Sequence, residues 1–339
     1  MDQVKIEIGQ ELLDDLYSSS NILLLRKGTV INEIHMRLLA KYNVKTIKRD
    51  SIRQKPLSEE EKVKKVYQET LSKLKEQYAS IYKKEVLTSE DATCIKEAFS
   101  GLVTKDNISL IQLKEQLSQD EYLYQHSLNV GLVARKIGQM LYLSKNEQNM
   151  LAQMGIFHDV GKFKIDPAIL NKPGRLTDEE FEIMKRHPQY GYNLLKEAGI
   201  PQEILLGTLM HHERLDGTGY PNKVSSHIPF LVRILSVADT FDAICSRRVY
   251  KDNRSIFFAV DELIKDARGN RLDIDVVIPF ANYLMEALKK RKIPLRNGKT
   301  AEIRHVFPDR PNQPILEVEG YLPLNLKESG LTLLQVASV

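Results

Sequence analysis

Helical periodicity runs through the chain from about residue 100 to residue 292, and this long stretch limits the fold more than any other feature. Apolar residues recur in it at the spacings of three and four that give a helix one buried face. Prolines interrupt the pattern, and because proline is tolerated in a first helical turn or a loop, each is predicted to stand at a helix start or in a loop. They are Pro167, Pro173, Pro188, Pro201, Pro221 and Pro229. The stretch predicts a mainly α fold with a helical bundle at its core.

A shorter module of mixed character precedes this stretch. Residues 1–56 contain a predicted strand at 22–25, a turn at 27–29 and a helix at 33–42. Short apolar runs separated by turn signals are typical of strands, whereas the longer periodic run indicates a helix. We expect a small α+β N-terminal module.

The character of the sequence changes again after residue 293. A turn at 296–299 is followed by runs at 301–307, 314–318 and 331–336 that alternate or are continuously apolar, with Pro and Gly between them. This is the pattern of short strands. Residues 294–339 are therefore predicted to form a small β module.

Residues 57–118 are predicted to be a helical segment that links the modules. It opens with a capping box from Ser58 to Glu61, in which each side chain bonds the backbone of the other residue. An apolar stripe at helical spacing follows, made up of Val63, Val66, Thr70, Leu71, Leu74, Tyr78 and Ile81. The stripe fits a two-helix seam that forms a homodimer and fits packing on the chain's own core equally well.

Composition narrows the function classes. The formal net charge is +4, from 49 basic and 45 acidic residues, so no global field indicates a nucleic acid polymer or a membrane surface as partner. Cys94 and Cys245 are far apart, which argues against a disulfide framework or a thiolate zinc site. The start of the chain lacks the pattern of a leader, and no stretch approaches the ~20 apolar residues of a membrane span. We expect a cytoplasmic protein.

Histidines and carboxylates next to apolar runs are the main chemical signal. Five of the eight histidines fall between residues 126 and 212. Polar side chains beside buried helices need partners, and these residues satisfy one another if they converge on metal ions. The predicted ligands are His126, His158, Asp159, His187, His211, His212 and Asp239.

Two adjacent divalent ions are the chemically consistent occupants, and ligands without thiolate favour iron or manganese. Asp159 is predicted to bridge the two ions. We assign His126, His158 and Asp239 to one ion, and the other three histidines to the second. A lone histidine is more often a satisfied core residue, so the prediction depends on the whole set.

Two longer motifs carry a resemblance to a known family. They are the run from His158 to Lys162 (HDVGK) and the run from His211 to Pro221 (HHERLDGTGYP), supported by ILNKPG at 169–174 and VADTFDA at 237–243. Together they resemble the HD-GYP family of HD-type metal-dependent phosphohydrolases. The resemblance implies a helical catalytic domain, expected at 119–293, and activity as a bacterial cyclic di-GMP phosphodiesterase whose product is linear pGpG, with further cleavage to GMP in some members.

The resemblance also suggests roles for individual residues. A hydroxide held between the two ions would attack phosphorus, oriented by Asp159. Lys162 is placed to meet a phosphate oxygen, although a solvated lysine is the alternative. Arg248 and Lys251 match the family's substrate-contacting cations. Asp120 is a candidate guanine contact, with a helix N-cap as the alternative. Tyr122 stands where some members have a glutamate for a third metal, which favours two ions.

Two other functions fit the same motifs. The first is hydrolysis of a different cyclic dinucleotide, because the GYP signature does not choose among these substrates. The second is a cyclic di-GMP sensor or adaptor with little turnover, although the complete set of ligands argues against a degenerate site. Either function leaves the helical fold and the metal cluster unchanged.

Overall fold

The computed structural model describes residues 3–53, 59–84, 88–91, 93–95, 119–246, 256–289 and 291–337. Contacts between residues divide the chain into two units, Met1–Lys62 and Val63–Val339. Each unit has its own apolar core. The boundaries predicted after residues 118 and 293 both lie inside the second unit, and as domain boundaries they stay predictions.

Residues 3–53 of the N-terminal unit contain one α-helix, a 3-10 turn at Arg49–Ser51 and three pairs of short strands. Helix α1 (Glu33–Lys41) begins after Asn32, whose side chain accepts a hydrogen bond from the His35 amide. The strands are β1 (Gln3–Lys5), β2 (Glu11–Leu12), β3 (Leu16–Tyr17), β4 (Leu23–Leu25), β5 (Thr46–Lys48) and β6 (Ile52–Arg53). They pair antiparallel as β1 with β5, β2 with β6, and β3 with β4. The strand and helix predicted here are therefore present.

The second unit is mainly helical. Its helices are α2 (Glu59–Lys84), which begins at the unit boundary, α3 (Gln119–Met140), α4 (Lys145–Phe157), α5 (Pro167–Leu170), α6 (Asp178–Met184), α7 (His187–Glu197), α8 (Gln202–Met210), α9 (Phe230–Ser246), α10 (Ile256–Arg268), α11 (Ile274–Ala287), α12 (Leu326–Ser329) and α13 (Leu333–Val336). Capping boxes at Ser144 and Thr177 start α4 and α6. A 3-10 turn, Val160–Lys164, follows α4.

Four of the six prolines that interrupt the helical pattern stand at helix starts, as their chemistry predicts. Pro167 is the first residue of α5 and Pro188 the second of α7. Pro201 caps α8, and Pro229 immediately precedes α9. Because a proline in these places loses no helical hydrogen bond, it limits helix length without destabilising the bundle.

The apolar stripe of α2 packs on the core of its own chain. Val63, Tyr67, Leu71, Leu74 and Tyr78 belong to the same buried cluster as the helices of the bundle, and each is at most 3% exposed. This is the second of the two alternatives that the sequence left open. The predicted capping box begins at Ser58, which lies outside the described residues, and the side chain of Ile81 at the end of the stripe is not described either. A homodimer through α2 stays a prediction, and it would have to use the other, charged faces of the helix.

A four-stranded antiparallel sheet closes the second unit. Its strands are β7 (Ile293–Pro294), β8 (Thr300–Phe307), β9 (Arg310–Val318) and β10 (Leu324–Asn325), in the spatial order β10-β9-β8-β7. Ala301, Ile303 and Leu316 on its inner side join the core of the bundle. The strand predicted at 331–336 is wrong, because residues 333–336 form the helical turn α13, begun by a capping box at Thr332.

The mainly α fold with small strand-containing regions at both ends is confirmed. Across the residues that the structure describes, no helix combines the length and the apolar character needed to cross a membrane.

Candidate metal centre

The predicted ligands come from five different helices or helix ends. His126 and Asp239 lie within α3 and α9, and His187 is the first residue of α7. His158 and His211 follow directly after the last residues of α4 and α8. All five are at most 5% exposed. The bundle therefore brings together residues that are up to 113 positions apart in sequence, from 126 to 239.

Three histidines use the same local contact to fix their rings. The Nδ1 atoms of His158, His187 and His211 lie 2.7, 2.8 and 2.9 Å from the carbonyl oxygens of Gly155, Met184 and Thr208. Each carbonyl is three residues earlier, in the last turn of a helix, where carbonyls have no helical partner. A carbonyl can only accept, so Nδ1 carries the proton and Nε2 presents a lone pair. Metal-binding histidines are oriented in this way.

His126 is oriented by a carboxylate instead. Its Nδ1 donates to Asp242 Oδ2 over 2.7 Å, and Asn129 Nδ2 donates to the other oxygen of Asp242 over 3.0 Å. All three side chains are buried. The contact leaves Nε2 of His126 directed at Asp239 Oδ1, which is 3.1 Å away.

The Nε2 atoms meet in two pairs. Those of His126 and His158 are 3.3 Å apart, and those of His187 and His211 are 3.4 Å apart. Two nitrogens that each lie about 2.1 Å from one ion, at an angle of about 105°, are separated by about 3.3 Å. The separations therefore fit two ligands of a shared ion.

Asp159 lies between the two pairs and faces both. Its Oδ2 is 3.2 Å from His158 Nε2 and 3.6 Å from His126 Nε2. Its Oδ1 is 3.2 Å from His187 Nε2 and 3.8 Å from His211 Nε2. This second oxygen is buried and accepts no hydrogen bond from the described residues. An unsatisfied buried carboxylate oxygen is costly, and a cation resolves that cost.

Three groups of these side chains have ligand atoms within 4.8 Å of one another. They are Asp159 with His187, His211 and His212; His126 with His158 and Asp159; and His158 with His211 and Asp239. The buried imidazoles and carboxylates fit a divalent metal site.

Charge in the cluster follows from burial and close neighbours. Burial alone would raise the pKa of the carboxyl groups of Asp159 and Asp239, but the neighbouring side chains of His158 and Lys162 hold the pKa of Asp159 well below its ordinary value. The hydrogen bond from His126 does the same for the pKa of Asp239. Burial opposes the charged form of His126, yet hydrogen bonds with Asp239 and Asp242 outweigh it and raise that pKa to about 10.

Three of the imidazoles, those of His187, His211 and His212, are neutral at physiological pH. Burial lowers the pKa of His187, and burial with neighbouring histidines lowers the pKa of His211 and of His212 far below the ordinary value. Neutral imidazole is the form that binds metal, so these rings are ready to act as ligands.

Close backbone packing explains the glycine of the HDVGK motif. A Cβ atom on Gly161 would lie 2.0 Å from the carbonyl oxygen of His187 and 2.3 Å from the amide nitrogen of Gly191. Glycine therefore lets the turn after Asp159 lie directly against α7. This contact sets the position of His187 relative to Asp159.

The second motif forms a loop that Glu213 holds in place. Its carboxylate, 2% exposed, accepts hydrogen bonds from the backbone amides of Asn222 and Val224 at 2.7 and 2.9 Å. The Tyr220 ring lies against His212 with centroids 4.5 Å apart. The loop thereby forms one wall of the cluster beside His212.

The predicted substrate contacts are only partly described. Lys162 Nζ lies 2.5 Å from Asp159 Oδ2, and its side chain is 21% exposed. Arg248 and Lys251 lie outside the described residues, and of Asp120 only the helical backbone is described. Tyr122 stacks its ring on His126 with centroids 5.6 Å apart.

The sequence did not lead us to the residues that orient His126, which are Asp242 and Asn129. Asp242 was part of a quoted motif but had no assigned role, although it lies three residues after Asp239 and so on the same helix face. That spacing was the available signal. Asn129, three residues after His126, had the same kind of signal on α3.

A family model for the HD domain matches residues 107–276, half of the 339-residue chain. The chain belongs to the HD domain family. All seven predicted ligands of this HD domain protein fall inside the matched range. A solved structure of an HDG"Y"P protein from Bdellovibrio bacteriovorus has the same fold, with a TM-score of 0.52 at 17% identity over 84% of this chain and 99% of that chain. The predicted resemblance is confirmed.

Curated proteins similar to this HD domain protein are named as phosphodiesterases. A cyclic di-GMP phosphodiesterase of Pseudomonas aeruginosa is 35% identical over 169 residues, which are 49% of this chain and 41% of that relative. The 3'3'-cGAMP-specific phosphodiesterase 2 of Vibrio cholerae is 37% identical over 133 residues, which are 38% of this chain and 25% of that relative. The chain thus spans less than half the length of both.

Proposed function

We propose that this protein is a metal-dependent phosphodiesterase that hydrolyses cyclic di-GMP to linear pGpG, as an HD-GYP-type enzyme. One observation carries the proposal. The two oxygens of Asp159 face two different pairs of histidine Nε2 atoms, and one of them is buried without a hydrogen bond. The activity name of the Pseudomonas aeruginosa relative supports the substrate.

The arrangement of Asp159 supports two ions, iron or manganese, bridged by this carboxylate. His126, His158 and Asp239 would hold the first ion, and His187, His211 and His212 the second. When bound, such ions would supply a hydroxide nucleophile at neutral pH and would neutralise charge on the phosphodiester. The ring of Tyr122 on His126 supports a count of two rather than three.

Lys162 is proposed to bind a phosphate oxygen of the substrate. Its ammonium group has three donors, one of which meets Asp159, and because the side chain is partly exposed the others can reach a ligand from solvent. A cation here also offsets the charge that develops on the phosphate during attack. Arg248, Lys251 and Asp120 stay proposed contacts for the second phosphate and the guanines.

A second candidate is the hydrolysis of another cyclic dinucleotide. It is supported by the name of the Vibrio cholerae relative, which acts on 3'3'-cGAMP and is as similar to this chain as the relative named for cyclic di-GMP. Both substrates present the same phosphodiester to the metal cluster, so the choice depends on base contacts. The cytoplasmic location stays a prediction from the sequence.

Hydrolysis by anaerobically purified protein with ferrous iron or Mn²⁺ tests the proposal. Cyclic di-GMP and 3'3'-cGAMP are compared as substrates, and chromatography distinguishes pGpG from GMP. The Asp159→Asn variant should lose turnover, whereas Asp309→Asn, which removes an exposed carboxylate paired with Lys327, should retain it.

Three other outcomes have defined meanings. Faster cleavage of 3'3'-cGAMP would move the assignment to the second candidate. Metal and cyclic di-GMP binding without product would contradict the enzyme and favour the sensor. Equal turnover by the Asp159→Asn variant would show that the activity does not belong to this cluster.

A further inference from the structure

A buried chain of hydrogen bonds connects helix α2 with a predicted metal ligand. The Tyr67 hydroxyl lies 2.8 Å from Asn129 Oδ1, Asn129 Nδ2 lies 3.0 Å from Asp242 Oδ1, and Asp242 Oδ2 lies 2.7 Å from His126 Nδ1. The four side chains are 0, 6, 1 and 4% exposed, in that order. They come from three helices, α2, α3 and α9, so the chain crosses the interior of the bundle.

Chemistry fixes the direction of each bond. An ionised Asp242 only accepts, so it receives a proton from His126 and another from the amide group of Asn129. That amide orientation turns Asn129 Oδ1 towards Tyr67, whose hydroxyl donates to it. Without the hydroxyl, the buried Oδ1 loses this donor, and the amide has less reason to keep the orientation that Asp242 needs.

The chain of hydrogen bonds ends at Nδ1 of His126. The other ring nitrogen, Nε2, faces the metal cluster. The hydrogen bond at Nδ1 sets both the tautomer and the angle of the ring, and hence the direction of the Nε2 lone pair. The hydroxyl of Tyr78, on the same helix, donates instead to a backbone carbonyl oxygen, that of Ile156.

We propose that Tyr67 is a positioning residue of the metal centre, acting through Asn129 and Asp242 on His126. Tyr67 lies upstream of the range 107–276 that matches the HD domain family, so this residue extends the site beyond the family domain. The proposal rests on the metal binding contained in the proposed function. It connects α2 to the ion that His126 is proposed to hold.

Mn²⁺ titration of metal-free protein tests this role. The Tyr67→Phe variant should bind Mn²⁺ about tenfold more weakly at its first site, the lower end of the 10–100-fold range typical of outer-shell partners. Thr70→Val is the matched control, because it removes a buried hydroxyl from the same helix, one that donates to the carbonyl oxygen of Val66 in the preceding turn. It should leave Mn²⁺ affinity unchanged, whatever its effect on the thermal unfolding midpoint.

Non-additivity provides a second readout. Asn129→Leu removes the middle of the chain and should weaken Mn²⁺ binding by at least as much as Tyr67→Phe. Adding Tyr67→Phe to Asn129→Leu should then cause no further loss, because residues in one network do not act independently. This comparison also serves if Tyr67→Phe alone folds too poorly for titration, because Asn129→Leu must then still lower the affinity.

Hydrogen exchange supplies a readout from the other end. Coupling is reciprocal, so Mn²⁺ should slow amide exchange in α2 around Tyr67 in the parent protein, and this protection should disappear in Tyr67→Phe. Unchanged affinity and unchanged protection in Tyr67→Phe, with normal Mn²⁺ binding by the parent, would overturn the positioning role. If the parent protein binds no Mn²⁺, the proposed function itself fails.

Discussion

A Cβ atom placed on Gly161 would lie 2.0 Å from the carbonyl oxygen of His187. The turn that follows Asp159 therefore packs directly against the backbone of α7. Asp159, just before this turn, and His187, the first residue of α7, are both predicted ligands. The contact at Gly161 therefore limits how far apart these two ligands can lie.

Replacing this glycine should disrupt the centre. Gly161→Ala forces the two backbones apart, and we expect a loss of about 3 kcal/mol or more in the free energy of unfolding. Gly269→Ala is the control, since its Cβ would meet its first neighbour at 3.4 Å, an ordinary contact. Urea unfolding measures both, and equal stability of the two variants would contradict the packing described.

Metal should stabilise the folded protein strongly. The paired Nε2 atoms and the orphaned Asp159 oxygen are satisfied by cations, and a ligand at ~1,000 times its dissociation constant adds about 4 kcal/mol to the free energy of unfolding. Thermal unfolding with Mn²⁺ and then with excess chelator measures the effect. Asp159→Asn should respond to neither, and an unchanged midpoint in the parent protein would exclude a buried metal site.

Metal binding should release a proton from His126. Hydrogen bonds with Asp239 and Asp242 outweigh burial and raise its pKa to about 10, so its ring is charged at pH 8 in the metal-free protein. Ligation at Nε2 requires the neutral ring, so about one proton should leave, and affinity should increase as the pH rises towards 10. The other imidazoles with lowered pKa values are already neutral and add none.

Calorimetry in two buffers with different heats of ionisation counts these protons. The Asp242→Asn variant replaces the carboxylate beside His126 Nδ1 with a neutral amide, which raises the pKa less, so it should release fewer protons. Identical heats in both buffers would show that His126 is already neutral.

Glu213 should act on the loop rather than on the cluster directly. Glu213→Gln leaves one of the two backbone amides, of Asn222 or Val224, facing an amide group instead of an acceptor. We expect a loss of about 1–3 kcal/mol and faster proteolysis within residues 216–224. Glu203→Gln, in the exposed first turn of α8, should change stability by less than about 0.5 kcal/mol. Proteolysis at equal rates in both variants would contradict this role.

Much of this protein could be predicted from local patterns. The helix predicted at 33–42 is present at Glu33–Lys41, and four prolines stand at helix starts. The structure also brings together all seven predicted ligands, because each lies beside an apolar run that had to be buried. Periodicity and the cost of burying a polar group both operate over a few residues, so the sequence contains them directly.

Tertiary structure decided what depends on distant partners. The stripe of α2 was compatible with a dimer seam or with the chain's own core, and the bundle uses it internally. Residues 333–336 had the apolar character of a strand but form a helical turn. Thr332, which precedes this turn, donates a hydrogen bond to Asp261.

The support of His126 shows the same limit most clearly. Asp242 is 116 residues from His126, and Tyr67 is 62 residues from Asn129. No local spacing relates these positions. The sequence alone determined which side chains could bind metal, whereas the packing of α2, α3 and α9 decided which residues orient them, because a hydrogen bond between distant residues exists only once the helices are packed together.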